Sequence, residues 1–464
     1  MKSQEQYRNL IRFGFSFVIW GALTAIWAFF WMEYYAYAIA LPFYRRGNWL
    51  VFAVYGLLLL FFTHFYGGYR IGYYKRADLA YSSVLALILC NVITYLQTCL
   101  VGGAIMSPYP FLVMTLLQTA IIFLWVMAAH AFYLRGFPPQ QLLMIYGRKP
   151  LTHSLLYKMI SYPENYIVRS AINFDENPEE VYAKIVDHKD GVILCDIPSM
   201  HRNRLLKFCF EHGIRTYTTP KISDIIMRGA EDINLFDTPL MLNNNLGLRL
   251  EQRFLKRFTD ILFSGIALIF AAPFMLVIAA AIKICDRGPV IYKQKRLSIG
   301  GSEFDLYKFR SMIVDAEKQN GAQLSTVGDT RITPVGRVLR TLRLDELPQL
   351  WNIFKGDMSI VGPRPERPEL TAQHLASIPE FAYRLRIKAG LTGLAQTVGR
   401  YNTTAYDKLK LDLMYITNYS LMQDFKIMLM TVKILFVKDR TEGVQQAAEN
   451  PENFPANPSR KTPD

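Results

Sequence analysis

No two cysteines in this chain have metal-ligand or C-x-x-C spacing. The five present, Cys90, Cys99, Cys195, Cys209 and Cys285, are an odd number scattered among apolar runs. This argues against a zinc centre or a disulfide framework and predicts reduced, mostly buried thiols, with the soluble part in a reducing compartment. The polar start, Met1–Leu10, leads into an apolar run without a small-residue cleavage site, so no cleaved signal peptide is expected. Internal repeats are not evident. Ionisable residues are scarce inside the apolar runs, which leaves no ion path and argues against a transporter or channel.

What the chain does have is length, apolar residues and positive charge. Its 464 residues suffice for two or three domains with cores of their own. Hydrophobic residues make up 51%, concentrated in the first third and in one later insertion. A net charge of +14 suits anionic partners. The apolar segments favour lipid headgroups and phosphate-bearing substrates over nucleic acid.

Four runs reach the roughly 20 residues that a bilayer crossing needs: Phe13–Met32, Trp49–Tyr66, Leu79–Val101 and Pro110–Phe132. Tyr34, Tyr35, Trp49, Tyr66 and Tyr69 crowd their ends, as at a water–lipid boundary. Lys2, Arg8, Arg12, Arg70, Lys75, Arg76, Arg135, Arg148 and Lys149 fall on one side, against Arg45 and Arg46 on the other. The positive side is expected to be cytoplasmic, which puts everything after residue 135 there.

Residues 136–242 read as an α/β domain. Apolar runs at Gln141–Gly147, Gly191–Asp196 and Ile214–Thr218 alternate with helical patterns such as Arg202–His212. The turn after the first run, Gly147–Pro150, has a single glycine, so a Rossmann-like fold without an intact dinucleotide fingerprint is expected. A basic amphipathic helix, Arg249–Phe258, leads into the next part, and the polar tail, 441–464, predicts disorder.

The fifth apolar run, Ile261–Ile282, has Pro273 at its middle and cations at both ends: Arg253, Lys256 and Arg257 before it, then Lys283, Arg287, Lys293, Lys295 and Arg296. A proline inside a helix removes a donor and clashes with the preceding turn. Positive charge on both flanks favours a hairpin, 258–283, that dips into one leaflet and returns, over the alternative of a helix that crosses.

Five motifs lie between Gly288 and Gln396: Gly288–Gln294 with Lys295 and Arg296, Tyr307–Met312, Thr341–Gln349, Ser359–Pro365 and Gly390–Gln396. Adjacent carboxylates Asp345 and Glu346, preceded by Arg337, Arg340 and Arg343, suit phosphate chemistry. One can attack phosphorus while the other holds a hard cation or takes a proton. Arginines supply paired donors to phosphate oxygens, and the prolines around Arg364 would aim its side chain. Taken alone, an Asp-Glu pair among arginines equally suits a solvated helix face, and a Pro-Arg-Pro turn a rigid loop. Their convergence after one bent apolar segment favours a site. Tyr406–Lys438 reads as amphipathic helices lying on the membrane surface, with core helices as the alternative.

Lys308–Met312, Leu344–Gln349, Val361–Pro365 and Lys388–Gly393 resemble the motifs of the bacterial sugar transferase family, the monotopic polyprenol-phosphate phosphoglycosyl transferases, over about residues 250–437. The architecture is similar to the family's large form, typified by undecaprenyl-phosphate hexose-1-phosphate transferases. The resemblance implies a membrane α-helical bundle (1–135), the Rossmann-like domain (136–242) and an α/β-type monotopic catalytic domain with a re-entrant helix (243–440). It makes Asp345 the nucleophile of a ping-pong reaction that passes sugar-1-phosphate from a UDP-sugar to undecaprenyl phosphate and releases UMP. Glu346 would assist with Mg²⁺ or proton transfer, and Asp345 and Glu346 are the metal candidates. Arg340 and Arg364 would hold phosphate or nucleotide, with Lys308 and Arg310 in support. It further implies the bacterial inner membrane, exopolysaccharide, capsule or O-antigen synthesis, and an architecture compatible with a homodimer. Glucose or galactose is the favoured sugar, with an N-acetylated sugar or a non-catalytic scaffold as alternatives. Ala272-Pro273 departs from the family's Ser-Pro bend.

Overall fold

The computed structural model describes residues 2–39, 43, 45–147, 149–160, 163–188, 190–235, 237–243, 247–313, 329, 331–399 and 403–435; the tail, 441–464, lies outside them. The chain forms two compact units that part between Thr219 and Pro220.

The first unit begins with four long helices: α1 (Lys2–Phe30, continued by a π-helical turn, Trp31–Tyr35), α2 (Arg45–Tyr66), α3 (Arg76–Gly102) and α4 (Tyr109–Gly136). Each is long and apolar enough to cross a membrane. Most of their side chains face outwards, and a buried set of polar side chains at the centre of the bundle is paired. Tyr55 donates to the Asn91 side-chain oxygen at 3.0 Å, Asn91 donates to Gln118 at 2.9 Å, and Gln118 donates to the Leu23 carbonyl at 3.0 Å. A bundle in lipid needs that closure, because water is not there to complete it.

An α/β layer comes next: β1 (Gln140–Tyr146), α5 (Lys149–Ile160), β2 (Tyr166–Asn173), α6 (Pro178–Asp187), β3 (Val192–Cys195), α7 (Ser199–Glu211) and β4 (Thr216–Thr218). The sheet is parallel throughout, in the order β2-β1-β3-β4. Three strands and α7 coincide with the runs read from the sequence. The turn after β1 is closed by its own protein: a Cβ at Gly147 would collide with the carbonyl of Asp196. That glycine serves the approach of the loop after β3.

The second unit opens with α8 (Ile222–Arg228) and the antiparallel pair β5 (Glu231–Leu235) and β6 (Thr238–Leu242). Ile222 and Ile225 bury against Phe381, Leu409 and Leu413, so α8 belongs to the core of the second unit, although the sequence placed it in the α/β domain. After these come α9 (Leu250–Asp286), the hairpin β7 (Ile291–Leu297) and β8 (Glu303–Phe309), α10 (Pro334–Thr341), a 3₁₀ turn (Leu344–Glu346) and α11 (Gln349–Lys355). The unit finishes with β9 (Ser359–Val361), α12 (Pro368–Ser377), a 3₁₀ segment (Pro379–Arg386), β10 (Gly390–Thr392), α13 (Leu394–Val398), α14 (Ala405–Thr417) and α15 (Leu421–Leu435). Strands β9 and β10 pair in parallel.

Two expectations need correction. The hairpin expected at 258–283 is one unbroken helix, α9, that runs through Pro273. The proline lacks its own donor, but every other amide in so apolar a segment finds its partner within the helix. Both ends of α9 are held by this unit. Near its start, Lys256 donates to Asp424 at 2.7 Å, Arg257 donates to the carbonyls of Ile353 and Phe354, and Asp260 accepts from Ser359 and from the Ile360 amide at 3.0 Å. Near its end, Ile278 and Ile282 pack with Phe309 and Leu339. Between them Ile269, Phe270, Phe274, Leu276 and Val277 stand 67–74% exposed. Secondly, α14 and α15 are core helices rather than surface ones: Leu409, Leu413, Tyr415 and Ile427 are buried, as are Asp412 and Asp424.

Candidate active site

Leu344 and Leu347 pack against the cluster formed by Ile278 and Ile282 of α9. Three residues apart, they take the same side of the turn, which leaves Asp345 and Glu346 to other directions. Arg343 starts the turn in the left-handed region, at φ 55°. That conformation costs about 1 kcal/mol for a residue with a Cβ, so the packing on either side must hold it.

Strand β8 brings Lys308 to the carboxylates. The buried Asn352 side chain sets its position: it accepts from the Tyr307 amide at 3.0 Å and donates to the Asp305 carbonyl at 2.8 Å, joining α11 to the strand. Lys308 Nζ then lies 3.5 Å from Glu346 Oε1.

Arg364 arrives from the loop after β9. The Gly362 amide donates to the Thr392 carbonyl at 2.8 Å, and the Gly390 amide to the Pro363 carbonyl at 2.9 Å. A Cβ at Gly362 or Gly390 would strike the opposing backbone, so these glycines serve strand approach. The Arg364 guanidinium donates to Glu346 Oε1 at 3.1 Å.

The loop carrying Arg364 is gripped by residues that sequence reasoning did not select. Arg384 donates to the Arg364 carbonyl at 2.9 Å and pairs with Asp412 at 2.9 Å and Glu366 at 3.6 Å. Arg296, read from the sequence as a flanking charge and as the end of the first motif but given no role of its own, donates to the Pro365 carbonyl at 3.0 Å. Their signal is burial, which no local motif carries.

The charges shift one another. For Glu346, burial opposes ionisation, but Arg364, Lys308 and Arg343 outweigh it and hold the carboxyl at about 2. Asp345 moves the other way: burial and then the Glu346 charge push it above its ordinary value, against Lys308 and Arg340. Burial lowers Lys308, opposed by Glu346. Arg364 is raised, chiefly by Glu346. Two adjacent carboxylates with values driven apart are a common arrangement at reactive sites.

Asp345, Glu346, Lys308, Arg340 and Arg364 are thus brought together. Arg310 is not among them. It lies just past the end of β8, its amide donates to the Val290 carbonyl at 2.9 Å, and its buried guanidinium packs over Gly288, where a Cβ would collide with it. Among the described residues no group of three metal-ligating side chains occurs.

This constellation falls inside the stretch matched by the family model for bacterial sugar transferases, residues 251–438. The chain is 39% identical over 238 residues to an Aeromonas hydrophila UDP-N-acetylgalactosamine-undecaprenyl-phosphate N-acetylgalactosaminephosphotransferase, covering 50% of this chain and 55% of that protein. It is 39% identical over 220 residues to a Klebsiella pneumoniae UDP-glucose:undecaprenyl-phosphate glucose-1-phosphate transferase, covering 45% of each. The chain therefore spans about half the length of these two curated relatives. A Caulobacter vibrioides protein of the same UDP-glucose description is 40% identical over 189 residues, 70% of its own length and 40% of this chain. A relative 40% identical and covered over 70% of its length, together with the family-model match, shows that the chain belongs to the bacterial sugar transferase family.

Proposed function

We propose that this protein transfers a sugar-1-phosphate from a UDP-sugar to undecaprenyl phosphate, releasing UMP, through a phosphosugar carried on Asp345. The observation that carries the reading is the partition of the two carboxylates. Glu346 is occupied by Lys308 and Arg364, while Asp345 makes no ion pair among the described residues. An Asp345 oxygen attacks the sugar-bearing phosphorus, the bond from that phosphorus to the bridging oxygen breaks, and UMP departs with the electron pair. The phosphate oxygen of the lipid then attacks the same phosphorus, releasing the carboxylate and forming the lipid diphosphosugar. Glu346 holds the Lys308 and Arg364 side chains where phosphate charge develops, and Arg340 adds a further cation.

Mg²⁺ fits this donor set only as a shared ion. It commonly binds through one or two carboxylates together with substrate phosphates, and Asp345 and Glu346 supply no more than that. When bound it would neutralise diphosphate charge.

We read the molecule as α1–α4 crossing the inner membrane, a Rossmann-like layer, and a monotopic catalytic unit facing the cytoplasm. Helix α9 is continuous through Pro273, and we propose that in the membrane it bends there, without breaking, and so re-enters the leaflet. Attachment of both its ends to one unit, with an exposed apolar stretch between, supports that topology. It puts the carboxylates at headgroup level, beside the lipid phosphate. Homodimerisation is compatible with this arrangement.

Relatives of equal identity are named for glucose and for N-acetylgalactosamine, so a UDP-hexose and a UDP-N-acetylhexosamine are both candidate donors. UMP release measured with a panel of UDP-sugars and undecaprenyl phosphate tests the reaction and names the donor. The reading predicts release with one class of sugar; no release with any of them would reject it, as a scaffold would require.

A further inference from the structure

The first unit holds a second concentration of arginine, where the start of α1, the loop between α2 and α3, the end of α4 and the sheet meet. Arg8 and Arg12 both donate to the Tyr133 hydroxyl, at 2.5 Å each. The Arg12 guanidinium lies 4.4 Å from the centre of the Tyr73 ring and 5.1 Å from that of Tyr133. Gly72, at φ 77°, lets the intervening loop pass against the Tyr133 ring, where a Cβ would collide. Gln140, with its amide oxygen turned towards the cations, accepts from Arg8 at 3.0 Å and from Arg215, while its nitrogen donates to Tyr217. Three guanidinium groups from two parts of the unit therefore share neutral partners.

Among the described residues neither Arg8 nor Arg12 pairs with a carboxylate, and the buried Arg12 Nε has no hydrogen-bond partner. Glu164, near this end of α4, is occupied by His130 at 3.4 Å. The Tyr73 phenol is lowered, first by its hydrogen bond from Arg12 and then by the charges of Arg12, Arg8 and Arg215 against burial. Converging guanidinium donors, one of them orphaned, at the rim of an apolar bundle suit an oxyanion with several acceptor atoms.

We propose that Arg8, Arg12 and Arg215 form a phosphate-binding site, separate from the carboxylate site, that takes the phosphate of an anionic lipid headgroup or of a soluble phosphate ligand. Bound phosphate would offset the repulsion among the three cations and tie the helical bundle to the sheet.

The test uses the full chain in phosphatidylcholine nanodiscs, with phosphatidylglycerol added in one arm and inorganic pyrophosphate in the other. Native mass spectrometry counts retained lipid, and thermal unfolding reads both arms. Phosphatidylglycerol retained by the wild type and bound about 30-fold more weakly by Arg8→Gln/Arg12→Gln supports the lipid source, at about fivefold per charge near a membrane surface. Stabilisation by pyrophosphate alone, lost in that variant, supports the soluble source. Equal behaviour of the two proteins in both arms overturns the proposal. So does full retention by Arg8→Lys/Arg12→Lys, because surface charge without the guanidinium fork would then suffice. Should the variants fail to insert, a photoactivatable phosphatidylglycerol on the wild type decides. Labelling of the peptide containing Arg8 and Arg12 supports the site, and labelling confined elsewhere overturns it.

Discussion

Replacing Lys256 by methionine should cost the second unit several kcal/mol. Lys256 Nζ lies 2.7 Å from Asp424 Oδ2 and 3.1 Å from the Tyr415 hydroxyl, and the two charged side chains are 6% and 7% exposed. Methionine keeps the bulk of the stem but takes the cation from the buried Asp424 carboxylate, which keeps the Tyr415 hydroxyl, at 2.6 Å. Removing one partner of a buried pair typically costs about 3–5 kcal/mol. At roughly 2–4 °C per kcal/mol for a domain of this size, the midpoint should fall by about 10 °C. The assay is thermal unfolding in detergent, tracked by intrinsic fluorescence and by residual UMP release. Lys256→Met combined with Asp424→Leu should regain most of the loss, because no charge is then buried alone and Tyr415 can donate to the Val361 carbonyl. A single variant within about 1 kcal/mol of wild type, or a double variant no better than the single, would refute the reasoning.

Acid should stop the first half-reaction early. Asp345 must be ionised to attack, and its carboxyl is held above the ordinary value, so UMP release should fall at a higher pH than an unperturbed aspartate would give, while Glu346 stays ionised down to about pH 2. Glu346→Gln removes a like charge and frees two cations, so the acid limb of the single-turnover pH profile should move to lower pH; an unmoved limb contradicts the coupling. Gly362→Ala should destabilise by several kcal/mol, read by denaturant unfolding, because its Cβ would meet the Lys388 carbonyl; tolerance would argue against the tight β9–β10 approach. Pro273→Ala should straighten α9 and favour crossing. Cysteine accessibility that leaves Gly300 on the cytoplasmic side in that variant would deny the proline its deciding role.

The four long helices were legible because their apolar runs are nearly uninterrupted, and β1 and β3 because both faces of each are covered. Strand β2 was not, since burial alternates along most of it and Arg169 and Ser170 interrupt the apolar pattern. The motifs gave Asp345, Glu346, Lys308 and Arg364 as a set, and the fold brings these together. Arg310 was chosen for its place in the same run as Lys308, but the strand ends at Phe309 and its side chain goes to Gly288.

Helices α14 and α15 illustrate what a sequence hides. Asp412 and Asp424 carry no local signal of burial, yet each is buried against a cation distant in the chain: Asp412 with Arg384, Asp424 with Lys256. The Asp412 carboxyl is pushed up to about 6 by burial despite that partner. Periodicity assigns charged residues to the outside by default, and only tertiary pairing reverses the assignment. The grip of Arg384 and Arg296 on the Arg364 loop was hidden for the same reason.

Mass spectrometry of the protein after exposure to its UDP-sugar without lipid acceptor tests the covalent route most directly. The account predicts a peptide containing Asp345 heavier by one phosphosugar, cleared on adding undecaprenyl phosphate and lacking in Asp345→Asn. Full turnover by Asp345→Asn, or the adduct on any other residue, would contradict it.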